Sequence, residues 1–316
     1  VKVLFVSSGN RFDKVTDIIK NQGDSLIARG IRVDYYLIKG LGSIGYLKNI
    51  IPLRKQIMEN NYDIIHAHYI YSAIIAGLTF KKPIIASIMG SELSKSKIYL
   101  LLIRLFNSFF WSGCIVKTIQ MQAALNRRDI LVLPNGVDLN RFHPLDKSCC
   151  QNKLNWISGK RHILFASWPE RPEKNFSLAE NSISRMQTKN IELHFIKDIP
   201  NSELVFYYNA ADAVLLTSKR EGSPNVIKEA MACNRPIVST DVGDVSILLG
   251  GMDNCHITSF DTAEIGQRLD EVLKCNTLPD GRRRLLELDL TAESVAERLI
   301  GIYEKAVSKS QKTIVI

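Results

Sequence analysis

The chain has 316 residues, of which 46% are hydrophobic and 23% charged, with a formal charge of +9. That composition excludes a disordered or fibrous chain, and the length exceeds what one ordinary core spans, so two domains are expected. Six cysteines (Cys114, Cys149, Cys150, Cys233, Cys255 and Cys275) form no Cys-x-x-Cys spacing, so no zinc site and no metal are expected.

In chain order, Lys2 to Ser7 reads as a buried strand, and Val15 to Ala28 carries helical apolar spacing that ends near Gly30. Arg32 to Ile38 alternates as a strand, Tyr46 to Glu59 is a helix, Asp63 to His66 a strand and Ser72 to Thr79 a helix. Pro83 to Ser87 is a strand before the Gly90 loop, and Gly113 to Lys117 another. Thr118 to Leu125 is a helix and Ile130 to Leu133 a short strand. Between these lies the strongly apolar run Lys97 to Trp111. At 1.5 Å per residue it makes about four turns, too short to cross a bilayer. Two readings stay open for it: a core helix between parallel strands, or a helix lying on an anionic membrane through Lys95, Lys97 and Arg104. The polar stretch His143 to Gly159 reads as an interdomain linker with a short helix.

A second alternation starts with the strand His162 to Ser167, followed by the helix Ala179 to Met186, the strand Ile191 to Ile196 and the helix Glu203 to Ala210. Short apolar runs at Ile247 to Leu249 and His256 to Ile257, a helix from Ala263 to Leu273 and a last helix from Ala292 to Val307 complete the chain. Alternating strands and helices predict parallel, doubly wound α/β domains. The expected boundary puts 1–157 in one domain and 158–316 in the other. Charge is uneven: residues 1–150 hold 20 Lys and Arg against 10 Asp and Glu, whereas residues 151–316 hold 21 against 22. A basic first half suggests an anionic partner, such as a membrane surface or a phosphorylated acceptor. Nucleic acid is not expected, because no RNA-binding aromatic motif or helix-turn-helix pattern appears. No signal peptide precedes Val1, and the cytoplasm is the expected compartment.

Asp212 to Asp244 is the most informative segment. Ala213 to Leu216 is a buried strand, Glu221 and Gly222 turn the chain, Ser223 suits an N-cap and Pro224 the first helical position. A helix then runs from Asn225 to Ala232, and Pro236 opens the next strand. A strand feeding a helix N-terminus offers unpaired N–H groups and a positive dipole end, which suit a phosphate. Glu229 follows Glu221 by eight positions, a little over two turns, so the two carboxylates lie on nearly the same side. Carboxylates accept paired hydroxyl donors of the kind a ribose or pyranose presents. The pattern suits a nucleotide diphosphate sugar.

Glu221-Gly-Ser-Pro-Asn-Val-Ile-Lys-Glu229 resembles the Glu-x7-Glu signature of retaining glycosyltransferases of family four, which have the GT-B fold. Further segments agree in the family's order: Val3-Leu-Phe-Val-Ser-Ser-Gly9, Asp63-Ile-Ile-His-Ala-His-Tyr69, Met89-Gly-Ser-Glu-Leu93, Leu133-Pro-Asn-Gly-Val-Asp-Leu-Asn-Arg-Phe-His-Pro144, Phe165-Ala-Ser-Trp-Pro-Glu-Arg-Pro-Glu-Lys-Asn175 and Tyr207-Tyr-Asn-Ala-Ala-Asp-Ala213. The resemblance covers nearly the whole chain. It implies two Rossmann-like domains facing across a cleft, with an acceptor on the first, a nucleotide sugar on the second, and a last helix that packs back on the first.

By this resemblance Glu221 and Lys174 are the catalytic candidates: Glu221 meets the sugar hydroxyls and Lys174 the donor diphosphate. Glu229 meets the ribose, and Gly222, Ser223, Pro224, Asn225, Val226 and Ile227 form the phosphate end of the helix. The side chains of Val226 and Ile227 are expected to pack inward. Family members usually carry an arginine five residues before the lysine. This chain has Pro169 there, and Arg171 is the nearest replacement. Gly9 stands in the loop after the first strand; His68, Gly90, Ser91 and Glu92 are acceptor-side candidates, with His66 ranked below His68. Met89 stands where many relatives have a histidine, so that contact is not carried over. Asn234 takes the place of a glycine, in a turn that needs the left-handed conformation.

The implied activity is retaining transfer of a sugar from a UDP-, GDP- or ADP-sugar to a glycan, lipid-linked or other hydroxyl acceptor. The nucleotide sugar is a substrate, and no cofactor is expected. Cell-surface polysaccharide synthesis on the inner face of the plasma membrane is the implied setting. Two alternatives stay open: a nucleotide-sugar epimerase of the same fold, and a non-catalytic nucleotide-sugar-binding protein.

Overall fold

A computed structural model describes residues 1–10, 14–81, 83–90 and 97–314. The chain divides into two compact units, one of residues 1–136 with 292–316, the other of residues 137–291.

Among the described residues the first unit builds a six-stranded sheet from β1 (Lys2–Ser8), β2 (Arg32–Ile38), β3 (Ile64–His68), β4 (Ile84–Ser87), β5 (Gly113–Val116) and β6 (Leu131–Val132). The order is β2-β1-β3-β4-β5-β6, every pair parallel. Strands β3 and β4 are buried along their whole length, as expected for a sheet covered on both faces. One face carries α2 (Gly42–Leu47), α3 (Ile50–Asn60), α4 (Ile70–Gly77), α5 (Lys97–Phe109) and α6 (Ile119–Leu125), whose apolar residues close one core. The other face carries α1 (Asp17–Ile27) and the last helix, Ala292–Ile314. That helix buries Val295, Ala296, Leu299, Tyr303 and Ala306 against Val3, Phe5, Ile85 and Ile115.

The expected helix over Tyr46 to Glu59 is two helices. The chain breaks at Lys48 and Asn49, where the buried Asn49 amide donates to the carbonyls of Lys39 and Gly45, 2.8 Å each. A side chain that bonds backbone in this way competes with helix continuation. Helix α5 is neither wholly a core helix nor a solvated one. It buries Ile103 and Phe106 and exposes Ile98, Leu101, Leu105 and Phe109 along one stripe.

The second unit opens with α7 (Lys147–Lys153) and builds a parallel five-stranded sheet from β7 (Arg161–Phe165), β8 (Ile191–Phe195), β9 (Ala213–Leu216), β10 (Ile237–Thr240) and β11 (Cys255–Thr258). Its order is β11-β10-β9-β7-β8. The helices are α8 (Phe176–Ser184), α9 (Leu204–Ala210), α10 (Asn225–Ala232), α11 (Val245–Leu249), α12 (Thr262–Lys274) and α13 (Gly281–Glu287); the last helix of the chain is α14. Two buried clusters, one on each face of the sheet, make its core.

Residues 137–157 pack with the second unit, where the sequence reading had put them with the first. Val137 and Phe142 enter the second unit's core. Asn209 donates to the His143 carbonyl and accepts from the Leu145 amide, 2.9 Å each. Lys147 pairs with Asp212. Polar as this stretch is, it is tied to the second unit by Val137 N to the Leu290 carbonyl, Leu145 N to Asn209 and Gln151 to the Ala210 carbonyl, which a composition-based boundary does not register.

Candidate functional site

In the second unit the chain runs from β7 out to the edge strand β8 and returns past β7 to β9. Strand order reverses between β7 and β9, and open α/β sheets hold ligands beyond the strand ends at such a point. The segment after β7 carries Lys174, on a 3-10 turn, Pro172–Lys174. The segment after β9 carries Glu221. The two meet: Lys174 Nζ donates to Glu221 Oε1 at 2.5 Å, and their side chains are 10% and 17% exposed. Ser218 Oγ donates to the same oxygen at 2.8 Å. Oε2 takes no part in either bond.

Backbone ties fix this pair. Thr217, just past β9, donates through Oγ1 to the carbonyls of Lys174 and Asn175, 3.1 and 3.0 Å. Lys219 N donates to the Glu173 carbonyl at 2.9 Å. Thr240, at the end of β10, donates to the Ser218 carbonyl at 2.8 Å. Three neighbouring strand ends therefore set where Lys174 and Glu221 stand.

Helix α10 begins at Asn225, with Pro224 as its N-cap and no side-chain cap hydrogen bond. The expected Ser223 cap is not formed. Ser223 Oγ instead receives Lys228 Nζ at 3.1 Å. Proline lacks a donor, so its ring cannot close the helix start as serine would. The Ile227 amide donates to the Pro224 carbonyl at 3.2 Å. The amides of Asn225 and Val226 belong to the first helical turn, which has no intrahelical acceptor. Ile227 is buried and Val226 packs against the same core, as expected.

Glu229, nearly buried on α10, accepts from Tyr208 Oη at 2.6 Å. Burial, then the Glu229 charge and hydrogen bond, hold the Tyr208 hydroxyl well above its ordinary range, so it stays a donor. Two further groups here escaped the sequence reading. Lys228 is fully buried, and burial pulls its ammonium down to about 8, opposed by the charges of Asp244 and Glu229. Asp244 is buried too, and burial raises its carboxyl; its Oδ1 has no hydrogen-bond partner among the described residues. A lysine one position before the second glutamate was the available signal for Lys228.

The turn at Gly222 is held at close quarters. Gly243 has φ +63°, and a Cβ there would lie 1.9 Å from the Gly222 carbonyl oxygen. Only glycine fits both the backbone and the gap. Arg171 does not join the Lys174–Glu221 pair: Nε and Nη2 donate to Glu173 Oε1 at 2.8 and 2.5 Å. Asn234 has φ +52°, the left-handed turn expected of it.

The remaining candidates belong to the first unit, which reverses strand order between β1 and β3. Gly9 follows β1 and His68 ends β3, so both stand at that reversal point. Gly9 N donates to the Ile38 carbonyl at 2.9 Å. His66 and His68 are both buried. His66 is a structural residue, bonded through Nδ1 to Tyr303 Oη (2.6 Å) and through Nε2 to Ser87 Oγ (2.8 Å). His68 Nε2 has no hydrogen-bond partner among the described residues. Burial first, and then the buried Lys117 ammonium, lower the His68 imidazole to about 3. Gly90 follows β4 with φ +115°. Ser91 and Glu92 lie outside the described residues.

Known proteins supply the comparison. A family model described as glycosyl transferases group 1 matches residues 163–275. A second, described as glycosyl transferase 4-like, matches residues 13–107. The chain is 28% identical over 211 residues to an MMP alpha-(1->4)-mannosyltransferase of Mycolicibacterium hassiacum, covering 59% of this chain and 51% of that protein. It is 27% identical over 216 residues to a protein of Bacillus subtilis provisionally named as the teichuronic acid biosynthesis glycosyltransferase TuaC, covering 60% and 55%. The chain thus spans about half the length of the curated relatives it matches. Among solved structures, Anabaena HepE in complex with UDP-glucose superposes with a TM-score of 0.71 over 99% of both chains at 15% identity, a likeness of fold.

Proposed function

This chain belongs to the GT-B glycosyltransferases of the family-four kind, and from that premise we propose that it transfers a sugar from a nucleotide-sugar donor to a hydroxyl acceptor with retention of configuration. The observation that carries the reading is the Lys174–Glu221 pair at the strand-order reversal, beside a helix start that no side chain caps.

As the bond from the anomeric carbon to the diphosphate breaks, negative charge gathers on the departing phosphate. Lys174 and the first amides of α10 stabilise that charge, which they meet more strongly in the transition state than in the bound donor. Glu221 accepts hydroxyl hydrogens of the sugar and holds the anomeric carbon in place. Glu229, oriented by Tyr208, accepts the ribose hydroxyls. The acceptor oxygen forms the new bond on the face the phosphate leaves, and its proton passes to that phosphate. In this route Lys174 and the partial positive charge at the start of α10 take the part that a metal ion would otherwise play.

The donor is read as a UDP-, GDP- or ADP-sugar, in keeping with the UDP-glucose complex of HepE. The acceptor is read as a glycan or lipid-linked hydroxyl held by the first unit, where His68 and Gly9 are the candidate contacts. Polysaccharide synthesis is in keeping with the teichuronic acid biosynthesis named for the Bacillus subtilis relative, and a site at the cytoplasmic membrane face with the basic first half.

The test is donor binding followed by turnover. A thermal-shift screen of the three sugar-nucleotide classes is expected to show one class raising the midpoint, since a ligand of the folded state stabilises it. Against that donor, Glu229→Gln is expected to weaken binding. Lys174→Met is expected to lower turnover by about 100-fold or more, and Glu221→Gln to lower turnover with little change in binding. Full turnover in both Lys174→Met and Glu221→Gln would remove the assignment.

A further inference from the structure

His162, Glu192 and His194 come together on one face of the β7–β8 edge, with ligating atoms all within 4.8 Å of one another. The sheet register does this. His162 pairs with Glu192, and Glu192 and His194 are two apart on β8, so all three side chains share a face. None of the three bonds to Lys174, Glu221 or Glu229.

His162 Nε2 lies 3.1 Å from the Ile157 carbonyl, which can only accept, so Nε2 carries the hydrogen. In the neutral tautomer with that hydrogen, His162 Nδ1 is a lone pair, and it faces His194 Nε2 at 2.9 Å. Glu192 Oε2 lies 3.7 Å from His162 Nδ1 and 4.0 Å from His194 Nε2. That oxygen is buried and has no hydrogen-bond partner among the described residues. A buried carboxylate oxygen without a donor is costly, and Lys160 Nζ, at 3.8 Å, is beyond hydrogen-bond reach of it. Trp156 stacks on the His194 ring, centroids 3.5 Å apart and planes at 7°, which fixes the imidazole. His162 is fully buried, and the Glu192 side chain, 32% exposed, leaves the cluster open to solvent on one side.

We propose that these three side chains form a binding site for a divalent cation of the zinc type, clipping the edge strand β8 to β7. Two imidazoles and a carboxylate are a ligand set that zinc takes, with a water completing four-coordination. The His162 Nε2–H bond to a backbone carbonyl is the outer-shell contact that ligating histidines ordinarily make. Bonds of about 2.0–2.1 Å in a tetrahedron put ligand atoms about 3.4 Å apart. The three observed separations bracket that value, so a shift of roughly half an ångström in each side chain suffices. Binding moves the single hydrogen of His194 from Nε2 to Nδ1, so the bound imidazole stays neutral.

The experiment uses untagged, chelator-treated protein titrated with zinc by calorimetry, and with Co2+ followed by visible absorption. One zinc per chain is expected, with Co2+ spectra lacking thiolate charge-transfer bands. His194→Gln and Glu192→Gln are each expected to cut zinc affinity by at least about tenfold, the loss that even outer-shell changes bring in zinc proteins. Both are to retain the wild-type circular dichroism without metal. The paired change Cys149→Ser with Cys275→Ser, which removes the two exposed thiols, is expected to leave the affinity unchanged. No saturable binding at micromolar zinc, or binding lost with the thiols and kept in both β8 variants, overturns the site.

Discussion

Lys174 and Glu221 lie 47 positions apart in sequence and share a 2.5 Å hydrogen bond in space. Each was legible as a candidate, Glu221 from the Glu-x7-Glu spacing at a helix start and Lys174 through the family resemblance of the segment Phe165 to Asn175. That they form one ion pair was not, since it depends on which two strands are neighbours. The same limit explains Arg171. Its proximity in sequence suggested a second phosphate contact, whereas the structure gives its guanidinium to Glu173. A single backbone position tests how tightly the Glu221 turn is held. Gly243→Ala must place a methyl group against the Gly222 carbonyl with φ at +63°. We expect a loss of at least about 2 kcal/mol in chemical denaturation, with donor binding weakened because the turn at Gly222 and Ser223 shifts. Wild-type stability in that variant would show that the turn yields freely.

At the scale of elements, α5 shows what periodicity can and cannot say. Its apolar residues exceed what one face can bury, and the structure splits them into a buried row, Ile103 and Phe106, and an exposed row, Ile98, Leu101, Leu105 and Phe109. Arg104, which the membrane-lying alternative would turn towards lipid, donates through Nε to the Leu125 carbonyl at 2.8 Å, near the end of α6. Lys97 remains exposed at the helix start, and Lys95 lies outside the described residues. No described helix is long and apolar enough to cross a membrane. An exposed apolar row of this kind is a surface that a lipid interface would cover. Vesicle flotation tests the membrane-lying reading of α5, which expects replacement of Leu101 and Leu105 together by serine to lower co-flotation with anionic vesicles by about tenfold or more, given the energy of burying a leucine side chain. Equal flotation of both proteins would exclude α5 as the membrane face.

On the scale of the whole molecule, each unit has its own core, and the chain passes between them after Gly136 and after Thr291. Val137 and Thr291 pair within the second unit, and α14 then completes the first. There Tyr303 reaches the buried His66. The first unit thus buries two neutral histidines, both held below their ordinary range, chiefly by burial; His68 falls to about 3. The unfolded chain binds a proton at each near pH 6.5, and the folded unit does not. Stability from this source is complete above about pH 6.5 and falls as the solution is acidified towards the folded values. Each histidine contributes up to about 1.4 kcal/mol per pH unit in that window. Calorimetric melting is expected to show one transition moving down between about pH 7.5 and 5, and His68→Gln should flatten that shift. A transition temperature independent of pH over this interval would contradict the buried neutral pair.

The sequence by itself determined the alternation of strands and helices, the buried strands, the Asn234 turn and the glutamate pair, Glu221 in the turn before α10 and Glu229 on it. All of these are set within a few residues, by side-chain periodicity and by the conformations that particular residue types allow. Only the tertiary structure decided which strands lie side by side. That choice joined Lys174 to Glu221 and assigned residues 137–157 to the second core. It also brought His162 to Glu192 and His194, ligands some thirty positions apart that no spacing rule selects. Strand order depends on the burial of whole faces against one another, an energy summed over the entire core, and a short stretch of sequence carries too little of it to be read.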